Sequence, residues 1–202
     1  MPTARETLLD AAHTAVRAQP WTGVRMVDVA AAAGVSRQTL YNEFGSKEGL
    51  GAALVSRLVE DFLDGAARTV AESCRRGADA AACCAAAAAW MLRTAREEPI
   101  VHAALTGCWE ARMPLPAPAR HAPPGRLPSE PGQLAVVLRN RAVAGLGSAE
   151  CEYRALERAY EAGLRVALSY VVAESGGPDD ETCSRVDETV RALLQHAGRA
   201  VR

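Results

Sequence analysis

An all-α fold of about nine helices is what this sequence predicts, and three observations predict it. Apolar residues recur at helical spacing through most of the chain. No segment alternates apolar and polar residues with the period of two that a half-buried strand requires. Proline and glycine stand between the periodic stretches, at Pro20, Gly34, Gly77 and Pro99 and in the run Ser175–Asp179.

The elements follow in order. Leu8, Ala12, Ala15 and Val16 make one face of a first helix that stops near Pro20. Met26–Ala33 fits a short second helix, and Gly34 suits the turn after it, where positive φ costs only glycine nothing. Ser36 caps a third helix through about Phe44, and Ser46 a fourth that opens at Lys47. Leu50, Leu54, Leu58, Phe62 and Ala66 lie on one stripe of that fourth helix. Its Gly49, Gly51 and Gly65 each cost about 1 kcal/mol of helix stability relative to alanine, which reads as weakness. An alanine-rich helix runs to about Arg96, and another follows Pro99 to about Glu110. Arg112–Gln133 holds seven prolines and reads as a loop. Helices resume over Leu134–Leu146, Ala149–Glu174 and Glu181–Val201.

Composition narrows the function classes. Of 202 residues, 49% are hydrophobic and 23% charged, ordinary for a globular protein and wrong for a disordered one. The net charge of -1 means that any nucleic-acid contact rests on a local patch and on shape. The N-terminus lacks a signal-peptide profile, and the uncharged run Ala80–Leu92 falls short of the about 20 apolar residues of a membrane span. A cytoplasmic protein with no membrane partner is expected. Its six cysteines form no C-x-x-C pair and have no histidine at metal-ligand spacing, so no metal and no cofactor is expected. They read as reduced packing residues, with a thiol sensor at Cys83–Cys84 as the other reading. G-x-S-x-G, H-E-x-x-H and glycine-rich phosphate loops are missing from the sequence, so it does not read as an enzyme.

The informative stretch is Met26–Leu50. Val29 and Ala30 face inward, Ala33 is small where two helices cross, Gly34 turns the chain and Val35 plugs the corner. Leu40 and Phe44, four residues apart, face the core. Arg37, Gln38, Thr39, Tyr41 and Asn42 are left outside, and these residue types read base edges and hold phosphates. This is a helix-turn-helix. With the run from Tyr41 through Phe44-Gly-Ser-Lys-Glu-Gly-Leu50, the segment resembles the DNA-binding domain of TetR-family transcriptional regulators.

The resemblance covers about the first fifty residues. It implies a three-helix DNA-binding domain over 1–50, joined by a long helix to a helical regulatory and dimerisation domain over 51–202, with 112–133 as a loop. It places Arg37, Gln38, Thr39 and Asn42 at base-reading or groove-lining positions, and Tyr41 and Lys47 at phosphate-gripping ones. Three departures stand out. Arg25 replaces the usual Ser or Thr cap, from where it reaches toward a phosphate. Pro20 stands where a glycine ordinarily ends the first helix. Val16 replaces a large aromatic, leaving Trp21 to fill the core. Met1–Leu50 carries five basic and five acidic residues, so few phosphate contacts and modest non-specific affinity are expected.

Further expectations follow from the same resemblance. The function is that of a repressor released from a palindromic operator in double-stranded DNA by a small, mostly apolar effector. The alternatives are a helix-turn-helix used mainly for protein contacts and a small helical enzyme. Trp90, His102, Leu105, Trp109, Val137, Leu138, Tyr160 and Leu164 are candidate effector contacts, with the proline-rich loop as lid and the fourth helix as lever. A homodimer is expected through Tyr153, Leu156, Gly163 and Ala167 of one long helix and Val186, Val190, Leu193 and Ala197 of the next, closing a four-helix bundle.

Overall fold

The computed structural model describes residues 2–117, 130–144, 146, 150–173 and 178–200. Among them are nine α-helices, one 3-10 turn at Trp21–Gly23 and no strand. The helices are α1 (Ala4–Ala18), α2 (Met26–Ala32), α3 (Arg37–Phe44), α4 (Lys47–Arg75), α5 (Ala80–Glu97), α6 (Pro99–Thr106), α7 (Pro131–Ala144), α8 (Glu150–Val172) and α9 (Asp179–Ala200). Residues 118–129 of the expected loop, Ser175–Gly177 of the expected linker and Val201 lie outside the described residues.

Contacts divide the chain into two units, Met1–Val59 with Cys108–Ser129 and Glu60–Gly107 with Glu130–Arg202. The expected division at 50/51 therefore shifts, because α4 serves the first unit as far as Val59. The described start of the proline-rich segment also belongs to that first unit. Trp21 N–H donates to the Arg112 carbonyl at 2.8 Å. Pro114 and Trp21 both crowd Gly51, where an added Cβ would stand 3.0 Å from each. Arg112–Pro114 thus packs on the small N-terminal core. At its other end the segment gives way to helix sooner than expected. Pro131 opens α7, since a proline in the first helical turn forfeits no intrahelical bond. Similarly α6 stops at Thr106, where Gly107 adopts φ +77°, so Trp109 is not helical.

In the second unit α5 packs against both α8 and α9, which also pack on each other; α7 lies on α8. Two glycines are the points of closest approach. A Cβ at Gly65 of α4 would stand 2.1 Å from Cζ2 of Trp90, whose indole Nε1 donates to the Phe62 carbonyl at 2.9 Å. Gly65 is therefore the slot for an indole ring and not a weak point of α4, which runs unbroken. At Gly163 of α8 a Cβ would meet Val190 Cγ2 at 2.6 Å and Cys84 Sγ at 3.2 Å.

The same packing takes up most of the residues expected at a dimer interface. Gly163, Ala167, Leu156, Val186 and Val190 are buried within the single chain, the last two completely. Gly163 of α8 lies against Val186 and Val190 of α9 and Cys84 of α5, so the three helices meet there. Of the eight residues, Leu193 is exposed and Tyr153 and Ala197 are half-buried. A stripe of period 3.6 marks a helix face that packs; it does not say against what.

Asp79 joins α5 and α9 at the α5 N-terminus. Its carboxylate caps α5 by accepting from Ala82 N–H at 3.0 Å and receives Arg191 of α9 at 2.6 and 3.2 Å. The Arg191 hydrogen bonds, then the Ala82 N–H, hold the Asp79 carboxyl below its ordinary value. A depressed folded-state pKa stabilises above the unfolded pKa, and that stability is lost as pH falls through the folded value. Asp79→Ala is expected to cost about 1 kcal/mol at neutral pH, mostly from the cap, because the ion pair is exposed and screened. The difference from wild type should shrink below about pH 4. Urea unfolding at pH 7 and pH 3 checks both parts; a penalty that grows on acidification contradicts the assignment.

Candidate nucleic-acid interface

The first unit builds its outward face from local rules. Thr3 and Glu6 form a capping box on α1, in which Thr3 Oγ1 accepts from Glu6 N–H at 3.2 Å and Glu6 accepts from Thr3 N–H at 2.6 Å. These hydrogen bonds keep the Glu6 carboxyl below its ordinary range. Leu8, Ala12, Val29, Ala30 and Leu40 close the core between α1, α2 and α3, and Leu50 and Leu54 of α4 complete it. Gly34 takes φ +68° at the turn, and Val35 N–H returns to the Ala30 carbonyl at 3.0 Å. Ser36 Oγ then accepts from Thr39 N–H at 3.0 Å and starts α3. Gly45, at φ +71°, ends it.

Burying Leu40 leaves Arg37, Gln38, Tyr41 and Asn42 exposed and Thr39 at the boundary. Gln38 Nε2 donates to Asn42 Oδ1 at 2.9 Å, so the two amides share one surface as a linked pair. Donors and acceptors of both remain for further bonds. A short helix with one buried face and this polar face outward suits the major groove, whose base edges present matching donors and acceptors.

Two of the expected phosphate contacts are otherwise engaged in the free chain. Arg25 provides no side-chain cap for α2; its guanidinium binds Asp28 at 2.6 and 3.0 Å. Lys47 Nζ donates to the Thr22 carbonyl at 3.2 Å and sits 5.3 Å from the centroid of the Trp21 ring. Both must rearrange to reach a phosphate. Arg5 was not singled out by the sequence. It reaches the Glu43 carbonyl at 3.3 Å, the Glu43 carboxylate at 3.6 Å and the face of Phe44 at 4.6 Å, bracing the end of α3 from α1. Thirty-eight residues separate Arg5 from Glu43, so no local pattern carried that signal.

The candidate effector residues are distributed over both units. Trp109 falls in the first; Trp90, His102, Leu105, Val137, Leu138, Tyr160 and Leu164 fall in the second. Tyr160 is fully buried, and its hydroxyl donates to the Ala80 carbonyl at 2.8 Å. Burial drives its pKa upward, and the neighbouring cysteines add to the shift. The hydroxyl is therefore a structural bond between α8 and α5 and not a hydrogen-bonding arm for a ligand. Leu105 and Leu138 are buried, while His102, Val137 and Trp90 are partly exposed. The depression that Leu164 lines with Val136 and Arg139 holds about 10 Å³, room for a water at most. Among the described residues no cluster of three or more metal-ligating side chains occurs, and no helix is long and apolar enough to cross a membrane.

Comparison with known proteins bears on the first unit above all. Residues 8–54 match the family model of bacterial regulatory proteins, tetR family. The HTH-type transcriptional regulator AlkX of Mycobacterium tuberculosis is 43% identical over 60 residues, which are 30% of this chain and 28% of that one. The sequence likeness is thus to one domain, spanning under a third of that relative. The crystal structure of the TetR family repressor AlkX from Dietzia, implicated in biodegradation of n-alkanes, superposes with a TM-score of 0.59 at 21% identity over 96% of each chain. Thermus thermophilus FadR, a TetR family repressor solved in complex with lauroyl-CoA, gives 0.50 at 21% identity over 94% of this chain and 93% of that one. At such identities these two structures speak for the shared all-α fold.

Proposed function

We propose that this chain, whose residues 8–54 match the family model of bacterial regulatory proteins, tetR family, is a cytoplasmic transcriptional repressor that reads a near-palindromic operator. The observation that carries this reading is the face of α3. Leu40 is buried beneath it, Ser36 caps its start, and Arg37, Gln38, Tyr41 and Asn42 stand exposed along it. In this reading Gln38 and Asn42 read bases, Arg37 and Thr39 line the groove, and Tyr41 grips phosphate. Lys47 and Arg25 leave Thr22 and Asp28 for phosphates, whose charge outweighs a carbonyl or an exposed ion pair.

The protein acts as a homodimer in this proposal, because one α3 contacts too little DNA for specific binding. Support comes from apolar side chains left uncovered on the last two helices, Val172 at 64% and Leu193 at 42% exposure, beside the half-buried Tyr153 and Ala197. A two-fold dimer places its half-sites about one helical turn, roughly 34–36 Å, apart. The effector is a small, mostly apolar molecule taken up by the second unit near Trp90, His102 and Val137, the partly exposed members of the candidate set. It releases DNA only by binding the free arrangement better than the DNA-bound one.

Selection from random duplexes, followed by fluorescence anisotropy, tests the reading. The expected product is a near-palindrome. Gln38→Ala or Asn42→Ala should alter the preferred base at one or two positions, each worth about 1–3 kcal/mol of discrimination. Lys47→Ala should weaken all duplexes alike and flatten the salt dependence. Failure to enrich any sequence, or enrichment of single asymmetric half-sites, contradicts the proposal.

A further inference from the structure

Cys74 is the penultimate residue of α4, and Cys83 lies in the first turn of α5. The sequence gives no hint of a pair, because nine residues separate them and neither belongs to a C-x-x-C. The turn between the helices supplies the pairing. Gly77 at φ +84° reverses the chain, Gly77 N–H returns to Cys74 and Ala78 N–H to Ser73, and Asp79 caps α5. The two Sγ atoms come to rest 2.9 Å apart. Cys83 Sγ is held from the other side by the Ala78 carbonyl at 3.6 Å.

We infer that Cys74 and Cys83 form an oxidisable dithiol, which a peroxide converts to a reversible intramolecular disulfide. Closing the contact to a sulfur–sulfur bond asks for about 1 Å of movement at the end of two side chains. The two thiols differ in access, which orders the steps. Cys74 is half-buried and meets the oxidant, whereas Cys83 is fully buried. The Cys74 sulfur attacks one peroxide oxygen; a sulfur–oxygen bond forms, the oxygen–oxygen bond breaks and one water leaves. The product is the Cys74 sulfenic acid. The Cys83 sulfur then attacks the Cys74 sulfur, the sulfur–oxygen bond breaks, and the Cys83 proton leaves with the hydroxyl as a second water. Two thiols are oxidised and one peroxide is reduced to two waters.

Burial, and then the neighbouring Cys74, push the Cys83 thiol up to about 12, so it keeps its proton until the sulfenic acid forms beside it. Proximity compensates for that poor reactivity, as it does for other intramolecular attacks. Cys84 cannot substitute. It is buried on another side of α5, with its sulfur against Gly163. The site lies wholly in the second unit and does not depend on the DNA-binding reading.

The test uses the full, reduced chain treated with hydrogen peroxide. Intact mass should fall by two hydrogens per chain without formation of a covalent dimer, and dithiothreitol should restore it. Trypsin cuts after Arg68, Arg75, Arg76 and Arg93, so a non-reducing digest should join the peptide Thr69–Arg75 to Gly77–Arg93. Cys84→Ser must preserve this cross-link, which assigns it to Cys83. Cys74→Ser, checked for folding by circular dichroism, should abolish it and leave Cys83 oxidised at least about ten-fold more slowly. A protein whose Cys74 and Cys83 both remain alkylatable after the same peroxide treatment would overturn the inference. So would a link from Cys74 to any other cysteine, or one found only between chains.

Discussion

Gly65→Ala is expected to destabilise the second unit by about 3 kcal/mol, well beyond an ordinary surface substitution on a helix. On an exposed helix the same change would stabilise by about 1 kcal/mol, so even the sign is diagnostic. The difference lies in Trp90. A methyl group at Gly65 would stand 2.1, 2.5 and 2.9 Å from three atoms of the indole, none of which is the free end of a flexible chain. Moving the ring to make room also breaks its Nε1 bond to the Phe62 carbonyl, one turn away on α4. Urea unfolding followed by circular dichroism measures the loss. Combining Gly65→Ala with Trp90→Leu should recover part of it, since the smaller side chain vacates the slot. A neutral or stabilising Gly65→Ala would mean that α4 and α5 do not approach as described.

The second large effect is expected in the first unit. Leu40→Ala should cost about 3 kcal/mol, the usual range for a fully buried leucine. Eight residues are too few for a helix that stands alone in water, so α3 persists only because Leu40 docks it on α1 and α2. Affinity for the selected duplex should fall roughly ten-fold or more, because part of the stability loss must be repaid on binding. Arg5→Ala offers a graded comparison. It removes the brace on the end of α3 without opening a cavity, and its effect on binding should be smaller. Wild-type melting and wild-type affinity for Leu40→Ala would show that α3 is not held as described.

The parts of this molecule that were legible in the sequence are those whose causes are local. Gly34, Ser36 and Leu40 fall within seven residues of one another, and each has its own short-range reason to be there. A turn needs φ +68°, a helix start needs an acceptor for Thr39 N–H, and an amphipathic turn needs one buried leucine. Gly65 and Gly163 could not be read in the same way. Their reasons are Trp90 and Val190, each more than twenty residues away, and without those partners a glycine in a helix reads only as a cost.

Tyr160 repeats the point from the side of chemistry. A buried tyrosine beside an apolar cluster suggests a hydrogen bond for a ligand, until Ala80, eighty residues earlier, is found to take it. The stripe through Gly163, Ala167, Val186 and Val190 was legible as a packing face, yet burial inside one chain and burial between two produce the same period. Cys74 and Cys83 were legible as residues and not as a pair. Their meeting is a property of the turn at Gly77.

The placement of the indoles also makes the molecule its own optical instrument. The chain has three tryptophans. Trp21 and Trp109 belong to the first unit, and Trp90 is the sole indole of the second. Trp90 has its N–H bonded to a carbonyl and Arg93 over its ring at 5.2 Å, whereas Lys47 lies over Trp21. The two units therefore carry separately addressable fluorophores in unlike surroundings. Replacing Trp90 by phenylalanine silences the second unit and leaves the emission of the first, whose melting can then be followed by itself in the intact chain.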